Sequence, residues 1–227
     1  MKLNFKNKIC PNCKTENTFI CEETEKLTLS LKGYKQLKHK PVYKCENCGF
    51  CSYDFDMELE SETKDFVNGE LYADILNYSE LEGLEKLDNN IIADYNAYDF
   101  ECASLVYALE EDFDKSFVAL FRAIQLKSAI KEKFYLQMLR DKEELSNSQI
   151  AEYEKLDKIL EDCLNKNFKN LINVFENTEK NVFEKLMLIE AFEIMDNSEK
   201  AEKMFNQVCE QVELPQDLKD YFITLLN

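Results

Sequence analysis

Two cysteine pairs, Cys10-Pro11-Asn12-Cys13 and Cys45-Glu46-Asn47-Cys48-Gly49, constrain this chain more than any other feature. A CxxC turn places two sulfurs side by side, and two such turns supply the four soft ligands that a tetrahedral zinc ion binds at about 2.3 Å. The expectation is one structural zinc held by Cys10, Cys13, Cys45 and Cys48. Four thiolates leave no open position for water, which argues against a catalytic zinc, and neither pair has the βαβ surroundings of a redox CxxC. Cys51 extends the second pair to Cys45-x2-Cys48-x2-Cys51, part of an iron–sulfur spacing whose fourth ligand is missing. Cys21 and His39 are too few to fill a second shell and read as a packed thiol and a surface imidazole. Cys102, Cys163 and Cys209 stand singly on helical apolar faces, where cysteine behaves as a small hydrophobe.

Nine cysteines would suit a disulfide framework, but residues Met1 to Cys10 are polar and basic, without the apolar run of a secretory signal. The expected compartment is therefore the reducing cytoplasm, where paired CxxC motifs bind metal. A hydrophobic content of 45% supports an ordinary core, and every helical segment is broken by charge, so no membrane span is expected. High Asn and Lys content beside two arginines suggests an AT-rich bacterial source.

The net charge of −17 divides unevenly, with residues 1–50 at +5 and the remainder at −22. Such a field disfavours nucleic acid binding by the C-terminal part and leaves the N-terminal part as the candidate surface. There Lys26 to Lys44 contains no acid, with Lys32, Lys35, Lys38 and Lys40 as possible phosphate contacts and Tyr34 and Tyr43 interleaved. Arginine is absent from the stretch, so binding would be salt-sensitive and poorly sequence-specific. The competing and favoured reading docks these lysines on the chain's own acidic helices or leaves them simply solvated.

Short strands are expected from Asn17 to Glu22, leaving the first knuckle, and from Pro41 to Lys44, entering the second. Gly49 can take the positive φ that a knuckle needs, whereas Lys14 holds the equivalent place in the first. Leu27, Leu29 and Leu31 alternate with polar residues, as do Phe55, Met57 and Leu59, and the two segments are expected to pair. Glu58, Glu60 and Glu62 could equally open a helix. The acids from Asp54 to Glu62 lie in one line and enclose no cation site.

From about Glu70 the periodicity is helical. Ala97 to Ile124 reads as two antiparallel helices around Glu110-Glu111-Asp112-Phe113-Asp114, with Phe100, Ala103, Ser104 and Tyr107 facing Ser116, Leu120 and Ala123. Val182 to Val212 reads as a second pair turning at Asn197-Ser198. Between them Ile150, Tyr153, Leu156, Ile159, Leu160, Cys163 and Leu164 keep to one face of an expected helix, and Leu218, Tyr221, Phe222, Leu225 and Leu226 form a last one. Large and small residues at these intervals resemble tetratricopeptide repeats. The expected fold is mainly α with a small β N-terminal part: a zinc ribbon over residues 1–60, then a helical stack of antiparallel pairs over residues 61–227.

With Pro41-Val42-Tyr43-Lys44-Cys45-Glu46-Asn47-Cys48-Gly49-Phe50 added to the first cysteine pair, and the helices around Tyr107 and Ala123, the chain resembles a bacterial family of uncharacterised proteins, domain of unknown function 2225. That resemblance implies a zinc ribbon joined to tetratricopeptide-like helices and zinc ligation by the four paired cysteines, with no activity attached. One histidine and no phosphate loop or nucleophile motif leave little for an enzyme to use. The expected role is a non-enzymatic interaction module. Tyr98, Glu101, Leu105 and Leu109, with Leu186, Glu190 and Glu193, would face a groove for a basic peptide or protein. The alternative is a ribbon that contacts RNA or DNA phosphates.

Overall fold

The computed structural model describes residues 5–20, 25–28, 36–39, 41–77, 97–141, 146–175 and 180–226. Among these, six short strands precede a run of helices, so the chain is mainly helical with a small N-terminal strand region. The strands form three two-stranded sheets, β1 (Phe5–Ile9) with β2 (Glu16–Ile20), β3 (Glu25–Thr28) with β4 (Gln36–His39), and β5 (Tyr43–Lys44) with β6 (Cys51–Ser52). No described helix is long and apolar enough to cross a membrane.

Strand β1 lies in the stretch that composition marks only as polar and basic. Phe5, Asn7 and Ile9 alternate with Lys6 and Lys8, a period of two, and β1 pairs antiparallel with β2 so that Lys8 faces Asn17 and Lys6 faces Phe19. The inner face of β2 carries Phe19 into an aromatic cluster, 4.7 Å from Tyr43 and 5.1 Å from Phe55 between ring centroids, with Phe50 5.3 Å from Phe55. Edge-on ring pairs of this kind contribute about 0.5–1.5 kcal/mol each beyond their buried area.

The expected pairing of residues 27–31 with 55–59 is not what forms, since β3 pairs with β4, a closer neighbour in the chain. Residues 53–60 carry no strand. Their alternation survives as burial, with Phe55 and Leu59 in the core. Local bonds replace the ladder: Ser52 Oγ donates to the Asp54 carbonyl at 2.8 Å, and the Asp56 N–H donates to Asp54 Oδ1 at 3.1 Å. Asp54 and Asp56 both hold the Lys8 ammonium, at 2.8 and 2.7 Å. Leu29 and Leu31 lie outside the described residues.

Cα packing divides the chain into one compact unit of residues 1–25 and 38–164 and another of residues 26–37 and 165–227. In the first, helices α1 (Ser61–Val67), α2 (Glu70–Asn77), α3 (Ala97–Leu109) and α4 (Phe113–Asp141) share a core with the ribbon. The boundary at residue 60 falls inside that core, because Phe55 and Leu59 before it and Val67 and Tyr72 after it belong to one cluster. Helix α4 does not stop at Ile124 but runs 29 residues, burying Leu126, Lys127 and Ile130 in its extension. Helix α5 (Asn147–Phe175) buries Leu160, Cys163 and Leu164 on the expected face.

The α3–α4 hairpin closes on two small residues. Ser104 Oγ donates to the Ser116 carbonyl and Ser116 Oγ to the Ser104 carbonyl, each at 2.8 Å, so both hydroxyls are satisfied where the helices approach. In the second unit α6 (Val182–Ile194) starts on a capping box: Asn181 Oδ1 accepts the Glu184 N–H and the Glu184 carboxylate accepts the Asn181 N–H, both at 3.0 Å. Helix α7 (Ser198–Gln211) packs back on α6, and α8 (Gln216–Leu225) adds Phe222 beside Phe205 with ring centroids 5.8 Å apart.

Candidate metal centre

Each cysteine pair folds as the same tight turn. In the first, the Cys10 N–H donates to the Thr15 carbonyl at 2.8 Å and the Lys14 N–H to the Cys10 carbonyl at 3.0 Å. In the second, Cys45 donates to Phe50 at 2.8 Å and Gly49 to Cys45 at 2.9 Å. Lys14 and Gly49 stand at matching places with φ of 61° and 73°, so the first knuckle adopts with lysine the left-handed conformation that the second makes with glycine.

The turns bring Cys10, Cys13, Cys45 and Cys48 together with all four sulfurs within 4.8 Å of one another. Cys10 Sγ lies 3.7 Å from Cys48 Sγ, and Cys13 Sγ lies 3.6 Å from Cys45 Sγ. A tetrahedron with metal–sulfur bonds of about 2.3 Å has edges of about 3.8 Å, whereas a disulfide needs about 2.05 Å. The quartet therefore fits one four-coordinate metal ion. It is the only such group of acidic, cysteine or histidine ligands among the described residues.

Burial and hydrogen bonding treat the four thiols differently. Cys10 and Cys45 are buried and Cys13 and Cys48 half-exposed. Burial pushes the Cys10 and Cys48 thiols up, the former beyond any physiological range. Burial also opposes ionisation of Cys13, but hydrogen bonds from Thr15 and Asn47 outweigh it and bring that thiol down to about 6. Asn12 reaches Cys48 in the same crosswise manner, and its Nδ2 also donates to Asn68 Oδ1 at 3.0 Å, linking the knuckle to the end of α1. A bare quartet would hold mixed thiols and thiolates, and a cation among the four sulfurs makes thiolates of them all.

Cys51 stands outside the quartet. Its thiol donates to the Gly49 carbonyl at 3.1 Å within the core, beside Cys102 and Asp99 of α3, and burial followed by the Cys102 contact raises it well above the usual thiol range. The iron–sulfur spacing that includes Cys51 is thus not assembled. Cys102 and Cys163 are buried on their helices, and Cys209 is half-buried. His39 lies on β4, and Cys21 lies outside the described residues.

Other candidate residues are scattered. Tyr98 and Glu101 are buried in α3, where Glu101 pairs with Lys127 and the Lys127 ammonium sits 4.6 Å above the Tyr98 ring. Leu105 and Leu109 are partly exposed. Leu186 and Glu190 are buried in α6, Glu190 accepting the Tyr221 hydroxyl, while Glu193 is partly exposed and accepts the Ser198 hydroxyl at 3.3 Å. Of the lysine stretch, Lys38 falls on β4, and Lys32, Lys35 and Lys40 lie outside the described residues, as does Tyr34. Lys44, at its end, pairs with Asp99 of α3 at 3.1 Å, so this lysine does dock on an acidic helix.

Three supporting side chains have no local sequence signal. Asn17 is buried between the knuckles. The Tyr72 hydroxyl accepts the Cys51 N–H at 3.0 Å and donates to the Gly49 carbonyl at 3.2 Å. Tyr107 holds Ser52 and Tyr53. No protein-family model, curated protein or solved structure compared with the chain matches it.

Proposed function

We propose that this protein is a non-enzymatic, cytoplasmic interaction module. One structural zinc on Cys10, Cys13, Cys45 and Cys48 stiffens the ribbon, and each tetratricopeptide-like helix pair presents its first helix to a peptide or protein partner. The observation that carries the reading is one hairpin built twice. Helices α3 and α6 each span 13 residues, and two residues past the end of each stands one with positive φ, Glu111 at 58° and Asp196 at 54°. In each turn a backbone N–H then reaches back to the first helix, Asp112 to the Tyr107 carbonyl at 2.9 Å and Asn197 to the Phe192 carbonyl at 2.8 Å. Behind the turns, Ser116, Leu120 and Ala123 are buried in one pair and Ala201, Phe205 and Val208 in the other. Recurrence of a helical hairpin with one buried pattern is the signature of a repeat scaffold, and such scaffolds bind through their first helices.

Leu105 and Leu109 are the contact positions we assign on α3 of the first unit, and Glu193, separately, is the one on α6 of the second. Glu101 and Glu190 have partners inside the chain, so preference for a basic partner rests on Glu193 and on the −22 charge of residues 51–227. Zinc is the assignment for the ion because an all-thiolate tetrahedral set is its usual structural site. Kinship with the zinc-ribbon and tetratricopeptide-like family is proposed on the same residues.

The test is photo-crosslinking in the full chain, with the reactive group at Leu105 and a control at Leu71, which is exposed elsewhere on α2. One protein adduct at Leu105, absent at Leu71 and competed by a basic peptide, is the expected result. No adduct at Leu105, or nucleic acid binding abolished by Gln at Lys32, Lys35, Lys38 and Lys40, would sink the reading and favour a phosphate-binding ribbon.

A further inference from the structure

Asn17 is 6% exposed, and every polar atom of its side chain is used between the two knuckles. Its Nδ2 donates to the Thr15 carbonyl at 2.9 Å and lies 3.5 Å from Cys45 Sγ, while its Oδ1 accepts the Glu46 N–H at 3.1 Å. The Thr15 carbonyl also accepts the Cys10 N–H that closes the first knuckle. One buried amide thus joins the backbone of the first cysteine turn to both the backbone and the sulfur of the second.

The pairing of β1 with β2 sets this side chain on the ribbon's inner face, opposite Lys8, whose ammonium is drawn away to Asp54 and Asp56. Asn17 is left to the two knuckles, with Cys45 as its one sulfur partner. An N–H directed at a thiolate withdraws electron density from it, stabilises the charged form and orients its lone pair. Cys13 and Cys48 form the half-exposed side of the quartet, where a competing ligand first reaches the ion, and Asn17 works at the buried Cys45 side.

We infer that Asn17 is the positioning residue of the metal centre, setting the spacing of the knuckles and slowing loss of the ion through its N–H to Cys45. This rests on the reading of the quartet as a metal site. Its simplest rival is a buried asparagine that only satisfies the local backbone.

The experiment loads the full chain with Zn2+ and follows release to a chromophoric chelator, and in parallel records the sulfur-to-metal charge-transfer band of the Co2+ form. Asn17→Asp keeps the size and the acceptor for Glu46 but loses the donor. Asn17→Ser removes the bridge without adding charge and serves also if the aspartate variant fails to fold. Both are expected to release zinc about 10- to 100-fold faster than the parent, with the Co2+ band moved to longer wavelength because Cys45 becomes a stronger electron donor. Asn181→Ala, which removes the capping box of α6 and touches neither knuckle, should change neither readout. Release at the parent rate, or an unmoved Co2+ band in both variants, overturns the positioning role. A parent protein that takes up neither ion overturns the metal reading beneath it, which is a separate outcome.

Discussion

The hydroxyl of Tyr107 accepts the backbone N–H of Tyr53 at 3.0 Å while the two rings stack with centroids 5.6 Å apart. Helix α3 thereby grips the segment that leaves the second knuckle, and the same hydroxyl lies 2.8 Å from Ser52 Oγ. Tyr107→Phe keeps the stack and strands a buried N–H. The expected loss is about 1–3 kcal/mol in denaturant unfolding, with metal content unchanged.

The matching turns at Lys14 and Gly49 predict opposite responses. A Cβ at Gly49 would meet Leu76 Cδ1 at 2.3 Å and would also force a left-handed φ on an L side chain, so Gly49→Ala should lower stability by about 1–3 kcal/mol. Lys14→Gly relieves the same backbone cost at the price of one surface contact from Lys14 Nζ to the Pro11 carbonyl. Its expected effect is neutral to about 1 kcal/mol stabilising. Unfolding midpoints of the two variants, measured with zinc saturating, decide the comparison.

Burial holds the phenols of Tyr72 and Tyr107 and the thiol of Cys51 above their ordinary values of 10 and 9. Below about pH 8 these groups are protonated in both folded and unfolded chains, and their contribution to stability is constant. Above it the unfolded chain ionises first, so stability falls as pH rises toward the folded values. Denaturant midpoints should be level from pH 7 to 8 and drop by pH 10. Tyr107→Phe should reduce that slope, and an unchanged slope would count against the phenol as its source.

The cysteine spacing made the four-sulfur cluster legible, because two CxxC turns need little tertiary context to place four sulfurs. The helix pairs were legible for a similar reason: their turns and their apolar intervals are local. Strand β1 was hidden because Lys6 and Lys8 dominate its composition, although Lys8 reaches across to Asp54 and Asp56. Residues 54–60 showed their buried alternation but not their lack of a strand partner, which depends on Ser52 and Asp54 bonding the backbone. Glu101 and Glu190 looked like groove acids since each falls on a first helix. Their partners, Lys127 and Tyr221, come from other helices that periodicity alone cannot bring to them.

The Glu101–Lys127 pair is nearly sealed from water, with side-chain exposures of 7% and 1%. Removing one member leaves a buried charge without this counter-ion, so Glu101→Gln should cost about 3–5 kcal/mol. Glu101→Leu combined with Lys127→Met replaces both charges by apolar volume and should recover most of that loss. A double variant as unstable as the single one would show that the ion pair itself, rather than the unmatched charge, supplies the stability.

Metal content tests the quartet directly. Protein purified without added metal should carry one equivalent of zinc, and Cys45→Ser with Cys48→Ser should carry none, because two sulfurs cannot complete a tetrahedral shell. Loss of the ion removes the bonds that tie the two knuckles together, so the ribbon should loosen before the helices do. Chelator-treated protein should then show faster amide exchange at Cys10–Asn17 and Cys45–Phe50 than at α6 and α7. Iron with a visible band in place of zinc would overturn the assignment of the ion while leaving the four-sulfur geometry intact.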